Sequence, residues 1–227
     1  KKNKVIDELR DIIKEQSKLS VISAYFTIYA YSELKQELGK VDKLRFIYTE
    51  PTFVNKEEDL IRSYYIERST EKMVAGNEFE IKLRNEMKQA AIARECAQWL
   101  EKKAEIKSFL RSNIAQSRFV CVENINEKIS IHGSVDFTSD GLGITPSNRV
   151  DSNVCFYEEK YTRDFLKIFD ELWYDDEAVQ DVKQKVLEQM YILYKENTPE
   201  FIYFVTLYNV FQNYLGELVE ENIVKTR

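Results

Sequence analysis

From Leu19 to Tyr48 the chain carries a strand, a helix and a second strand in about 30 residues, and this order constrains the fold more than any other feature. Leu19 to Phe26 is β-branched and aromatic, with Ser and Ala between, and reads as a strand. Tyr29 to Leu38 reads as a helix closed by Gly39, a residue suited to a left-handed cap. Lys43 to Tyr48 alternates Leu44, Phe46 and Tyr48 with charge, and the run ends at Pro51. Two strands joined through a helix lie parallel, with a right-handed crossover.

Later segments add antiparallel neighbours. Arg118 to Glu123 and Lys128 to His132 are strands joined by Asn124-Ile-Asn-Glu127, a hairpin connection. Ile106 to Leu110 and Asn153 to Glu158 read as further strands. Helices are expected over residues 4–16, over Phe79 to Lys103 with a stripe of Leu83, Met87, Ala90, Ala97 and Leu100, and over Tyr161 to Trp173 with Phe165, Ile168, Phe169 and Leu172 on one side. Residues 52–78 suggest no more than a helical turn or two. The expected fold is therefore α/β: a mixed sheet flanked by helices, occupying residues 1–174.

From Asp175 the character changes, and residues 175–227 read as a helical extension. Val179, Val182, Val186, Met190 and Leu193 mark one helix. Thr198 and Pro199 start another, as N-cap and first helical position. Its Phe201, Phe204, Tyr208, Phe211, Leu215 and Leu218 form a seam spaced by threes and fours. That seam either packs onto the preceding helix or docks to a further part of the protein.

Charge follows the same division. Residues 1–170 hold 28 Lys and Arg against 28 Asp and Glu, whereas residues 171–227 hold 5 against 11, which accounts for the whole net charge of −6. A neutral body neither excludes nor announces contact with phosphates. Cys96, Cys121 and Cys155 are scattered, and His132 is the one histidine, so a structural zinc site is not expected and reduced thiols in a cytoplasmic protein are. No run reaches the ~20 apolar residues of a membrane span, and no membrane partner is expected. A start at Lys1 and a stop at Arg227 without an end signal suggest a piece of something longer.

The stretch Ile129 to Leu142 carries the chemistry. An alternating apolar run ends in Gly133-Ser134, followed by Asp136-Phe-Thr138 and a turn bounded by Gly141. This resembles the Gly-Ser-x-Asn-Phe-Thr-x-x-Gly-Leu block of the phospholipase D-like family. Val21 to Phe26, Leu44 to Pro51 and Asn148 to Phe156 resemble the same family's strands. Phe169 to Trp173 and Pro199 to Tyr208 resemble the segment that joins a phospholipase D-like N-terminal domain to a DEAD/DEAH-type helicase motor in bacterial multidomain proteins.

The resemblance implies a phosphate site built from a His-x-Lys pair, an acid and the Gly-Ser-x-Asn block, with histidine attacking phosphorus across a pair of facing halves. Here Gln116 stands at the histidine position, Arg118 at the lysine and Glu123 at the acid; Ser134 matches the serine and Asp136 replaces the asparagine. A glutamine amide is no phosphorus nucleophile. The expectation is a phosphate-binding set of Arg118, Ser134, Asp136, Gln116 and Glu123 that no longer cuts. It would hold DNA, pair as a homodimer and act beside its own helicase domain in cis. His132 is read either as a relocated catalytic residue or as a structural histidine of its strand. No P-loop is present, so ATP and Mg²⁺ are expected only for the motor and no cofactor for these residues. Two alternatives stand beside this. Asp151 with Glu158-Glu159-Lys160 would fit a Mg²⁺-dependent nuclease, and the aromatic tail would fit a protein-interaction domain.

Overall fold

The computed structural model describes residues 4–51, 87–111, 117–145 and 151–195. Among them run α1 (Val5–Ile12), β1 (Lys18–Ser23), α2 (Ile28–Glu33), α3 (Lys35–Lys40), β2 (Lys43–Tyr48), α4 (Met87–Lys103), β3 (Ala104–Phe109), β4 (Arg118–Glu123), β5 (Lys128–Gly133), β6 (Val154–Phe156), α5 (Glu159–Trp173), β7 (Val179–Asp181) and α6 (Lys183–Lys195). The expected helical turns in 52–78, the start of the Phe79 helix and the seam beyond Thr198 lie outside the described residues.

All the described strands join one mixed sheet in the order β6-β5-β4-β1-β2-β3-β7. β1, β2 and β3 are mutually parallel, as the strand–helix–strand reading requires. β4, β5, β6 and β7 run antiparallel to their neighbours. The fold is α/β, a sheet flanked by helices. The hairpin closes with the Asn124 N–H donating to the Glu127 carbonyl at 2.9 Å.

Two cores form because strand side chains alternate between faces. On one face Leu19, Val21, Phe46, Ile106, Val120, Val122, Ile129 and Ile131 pack under α1, α2, α3, α4 and α6. On the other, Ile22, Ile47, Phe109, Phe119 and Cys121 meet α5 through Leu166, Phe169 and Trp173. β1 is central and buried on both faces from Leu19 to Ser23, where small serines interrupt Leu19, Val21 and Ile22. The second face also holds a cation. Arg45 of β2 lies 4.8 Å over the Phe169 ring, pairs with Asp170 at 2.7 Å and donates to Ser20 Oγ at 2.9 Å. Lys107 of β3 sits 5.2 Å over Trp173 and donates to its carbonyl at 2.8 Å. The two clamp α5 onto the sheet.

Several local expectations are corrected. The helix expected over Tyr29–Leu38 is two short helices meeting at Leu34 (φ −105°, ψ 13°), which is fully buried there. Gly39 lies inside α3 and caps nothing; Val41, in extended conformation, ends the helix with its N–H on Leu38. On α5 the buried positions are Thr162, Leu166, Phe169 and Trp173, whereas Ile168 is 47% exposed. Val179 is not helical: it begins β7, pairs with Phe109 of β3, and the Val182 N–H donates to Ile106 at 3.0 Å. Val182, Val186 and Met190 then enter the same core as α1 to α4.

Candidate functional site

The carboxyl ends of β1, β2 and β3, the start of β4 and the end of β5 meet at one edge of the sheet. Small and polar groups gather there, where a strand order that reverses leaves room for ligands in α/β sheets. The register places Ile22 opposite Phe119, and Arg118 opposite Gly133. One step further, Ser23 and Arg118 stand side by side on the face of the larger core.

Asp136 fills the space between them. Its side chain is 1% exposed, and Oδ2 accepts from Arg118 Nη1 at 2.5 Å. Oδ1 accepts from the Ala24 N–H at 3.1 Å and lies 3.2 Å from the Ser23 hydroxyl. Arg118 is 30% exposed, and its described contacts use Nη1 alone. A buried carboxylate so held is stabilised by charge and by hydrogen bonds at once. Arg118 and Asp136 together are electrically neutral.

The rest of the Gly-Ser block builds the loop that delivers Asp136. Phe137 N–H donates to Ser23 Oγ at 3.1 Å, and its ring stacks on Phe26 with centroids 5.4 Å apart. Thr138 Oγ1 accepts from the Gly141 N–H at 3.0 Å. A Cβ on Gly141 would lie 2.4 Å from the Asp136 carbonyl, so only glycine lets the loop fold back this far. Leu142 is fully buried and its carbonyl receives the Ile6 N–H at 3.0 Å, which ties the loop to α1. Much of the block is thus architecture.

The other expected residues are placed as follows. Ser134, half-buried just past β5, donates to Asp151 Oδ1 at 2.9 Å, so its described partner is Asp151 and not Arg118. His132 points to the other face, where its ring stacks on Phe165 at 5.1 Å beside the Thr162–Ser130 hydrogen bond. Glu123 sits at the far end of β4, roughly 16 Å along the strand from Arg118, where it pairs with Lys128 at 2.6 Å. Gln116 lies outside the described residues. Of the expected set, the structure brings Arg118 and Asp136 into contact. It does not bring Glu123 or His132 to them.

For the metal alternative, Asp151 is engaged by Ser134, and Glu159 pairs with Arg163 at 3.0 Å one turn along α5. Among the described residues, no three His, Cys, Asp or Glu side chains converge as a metal-holding group. Among the described residues, too, no helix is long and apolar enough to cross a membrane. The thiols are free, with Cys96 and Cys121 buried. Burial raises all three thiol pKa values; Cys155, half-buried, is pushed up to about 11.

Ser23, Ala24 and Asn153 are the residues that sequence reasoning missed. Ser23 had one available signal: a small hydroxyl at the carboxyl end of a parallel strand. Asn153 had none, because its place is set by pairing across β5. Its Oδ1 is the one buried side-chain polar atom among the described residues without a hydrogen-bond partner, and it lies against the Gly133 backbone. The chain matches no protein-family model, and no curated protein matches it in sequence.

Proposed function

We propose that this chain is a non-catalytic, phospholipase D-like module of a larger, ATP-driven, DNA-acting protein, one that holds DNA and pairs two copies without cutting the backbone. One observation carries the reading: the cation at the motif position, Arg118, is bound to a carboxylate of its own chain, Asp136. No histidine stands beside it, since His132 is packed under α5. With Arg118 held by Asp136, among the described residues the exposed Arg111 at the exit of β3 offers a cation to a backbone phosphate at this edge. Binding through a single such contact is weak and shallow in its salt dependence, with a slope in log–log form of about −1 per phosphate.

Fluorescence anisotropy of the full chain with short duplex DNA, from 20 to 200 mM salt, tests the holding role. A chain that ignores DNA at the lowest salt would remove it. Sedimentation as a strict monomer at all concentrations would remove the pairing role. Hydrolysis of a simple phosphodiester that disappears in Arg118→Met would remove the non-catalytic claim.

A second reading, a protein-interaction domain, is favoured by exposed apolar groups near α5. Val154 of β6 is 50% exposed, Tyr161 44% and Ile168 47%. Failure of DNA binding together with loss of self-association in Ile168→Glu would turn the balance toward it.

A further inference from the structure

We infer that Asp136 acts as a built-in plug, closing the sheet-edge site to oxyanions, and that the site takes them up once this carboxylate is made neutral. Resting on the non-catalytic reading above, the plug leaves an anion's place at this edge filled from within.

The geometry is specific. Two donors converge on the Asp136 carboxylate from two other elements, Arg118 Nη1 at 2.5 Å and the Ala24 N–H at 3.1 Å; the Ser23 hydroxyl lies 3.2 Å away, with the Tyr25 carbonyl nearer to it at 2.9 Å. A guanidinium and a backbone N–H turned to one point are what an oxyanion requires. The carboxylate answers that demand at no cost of assembly, because the loop through Phe137 and Gly141 holds it in place.

Asparagine has nearly the same shape and no charge. In Asp136→Asn the amide oxygen keeps the Ala24 N–H, and the amide nitrogen is then turned toward Arg118. Two donors so placed cannot remain at 2.5 Å, the present separation of Oδ2 and Nη1. They relax by moving apart around an acceptor. Because Arg118 is 30% exposed, that acceptor can come from solvent. The negative charge that repelled an incoming anion has gone as well, so affinity for phosphate rises on the order of tenfold or more.

Thermal unfolding of the full chain is followed in inorganic phosphate against chloride at equal ionic strength, for wild type, Arg118→Met, Asp136→Asn and the double variant. Wild type and Arg118→Met are expected to show no phosphate-specific rise. Asp136→Asn is expected to gain one, with an apparent Kd at least tenfold below any wild-type value, and Arg118→Met in that background is expected to abolish it. A folded Asp136→Asn without the gain overturns the plug. So does a wild-type rise that Arg118→Met removes, and this arm decides even if Asp136→Asn does not fold. The two proposals also fail apart: phosphodiester hydrolysis by the wild type sinks the non-catalytic reading, whereas the phosphate result bears on Asp136 alone.

Discussion

Replacing Gly133 by alanine should damage this protein more than most single changes. Gly133 closes β5 with φ +152°, a conformation that L side chains rarely adopt. Strain of this kind costs about 1–3 kcal/mol. A Cβ there would lie 2.3 Å from the Ser152 carbonyl and 2.3 Å from Asn153 Oδ1. The amide can swing aside, but the carbonyl belongs to the strand entry, so β6 must move away. That movement loosens the His132–Val154 register and the Ser134–Asp151 hydrogen bond, the latter worth about 1 kcal/mol. Together the loss is about 3 kcal/mol, a large part of the 5–15 kcal/mol of an ordinary domain. Urea unfolding followed by circular dichroism should show a midpoint lower by roughly 1–1.5 M. Gly39→Ala is the matched control. No atom lies within 4 Å of its would-be Cβ, and it sits in α3, so it should gain about 0.5–1 kcal/mol. A Gly133→Ala protein unfolding within about 0.3 M of wild type would refute the reasoning.

Phe169→Ala should cost about 3–5 kcal/mol, since it empties the core under α5 and removes the ring beneath Arg45, whereas Ile168→Ala should cost under about 1 kcal/mol. Denaturant midpoints of the two variants check which face of α5 is buried. Arg118→Met should destabilise by about 2–3 kcal/mol by leaving Asp136 buried without its cation, and a double-mutant cycle with Asp136→Asn should recover a coupling above about 1 kcal/mol. Native Cys155 should react slowly with a thiol reagent at pH 8: with its pKa near 11, only about 0.1% is thiolate, and unfolding should speed the reaction roughly a hundredfold. Tyr31, whose phenol burial pushes up to about 12 from 10.0, stays neutral in the native state after it would ionise in the unfolded one. Because the folded pKa is the higher, stability should be intact below pH 10 and fall as pH rises from 10 toward 12. Phenolate absorbance against pH, native and in urea, reads the gap.

How far the residues alone disclose this arrangement depends on whether the determining partner is local. β2 and β4 run over the expected spans, and β1 and the β4–β5 hairpin fall close to them, because period-two alternation and turn chemistry are properties of neighbouring residues. Val179 misled because positions 179, 182, 186 and 190 keep helical spacing, yet Phe109 of β3 offers an unpaired edge that only the assembled sheet presents. Gly39 misled because a glycine after a helical run suggests a left-handed cap, and here the chain leaves through Val41 without one. At the sheet edge the residue types of Arg118, Ser134 and Asp136 were visible, but not who holds whom. That required the order β5-β4-β1, which sets Ser23 and Ala24 against a carboxylate more than a hundred positions away.

The two sides of the sheet are very unequally roofed. Among the described residues, five helices share one side, and the other is covered by α5 with the short passage into β7. If α5 lifts, Ile22, Ile47, Phe109 and Phe119 meet water in a single event, and Arg45 loses both its aromatic seat and Asp170. Such a surface is broad, flat and adhesive. Keeping α5 seated therefore also keeps this apolar face from meeting its own kind, and whatever grips the helix from outside would add to that protection.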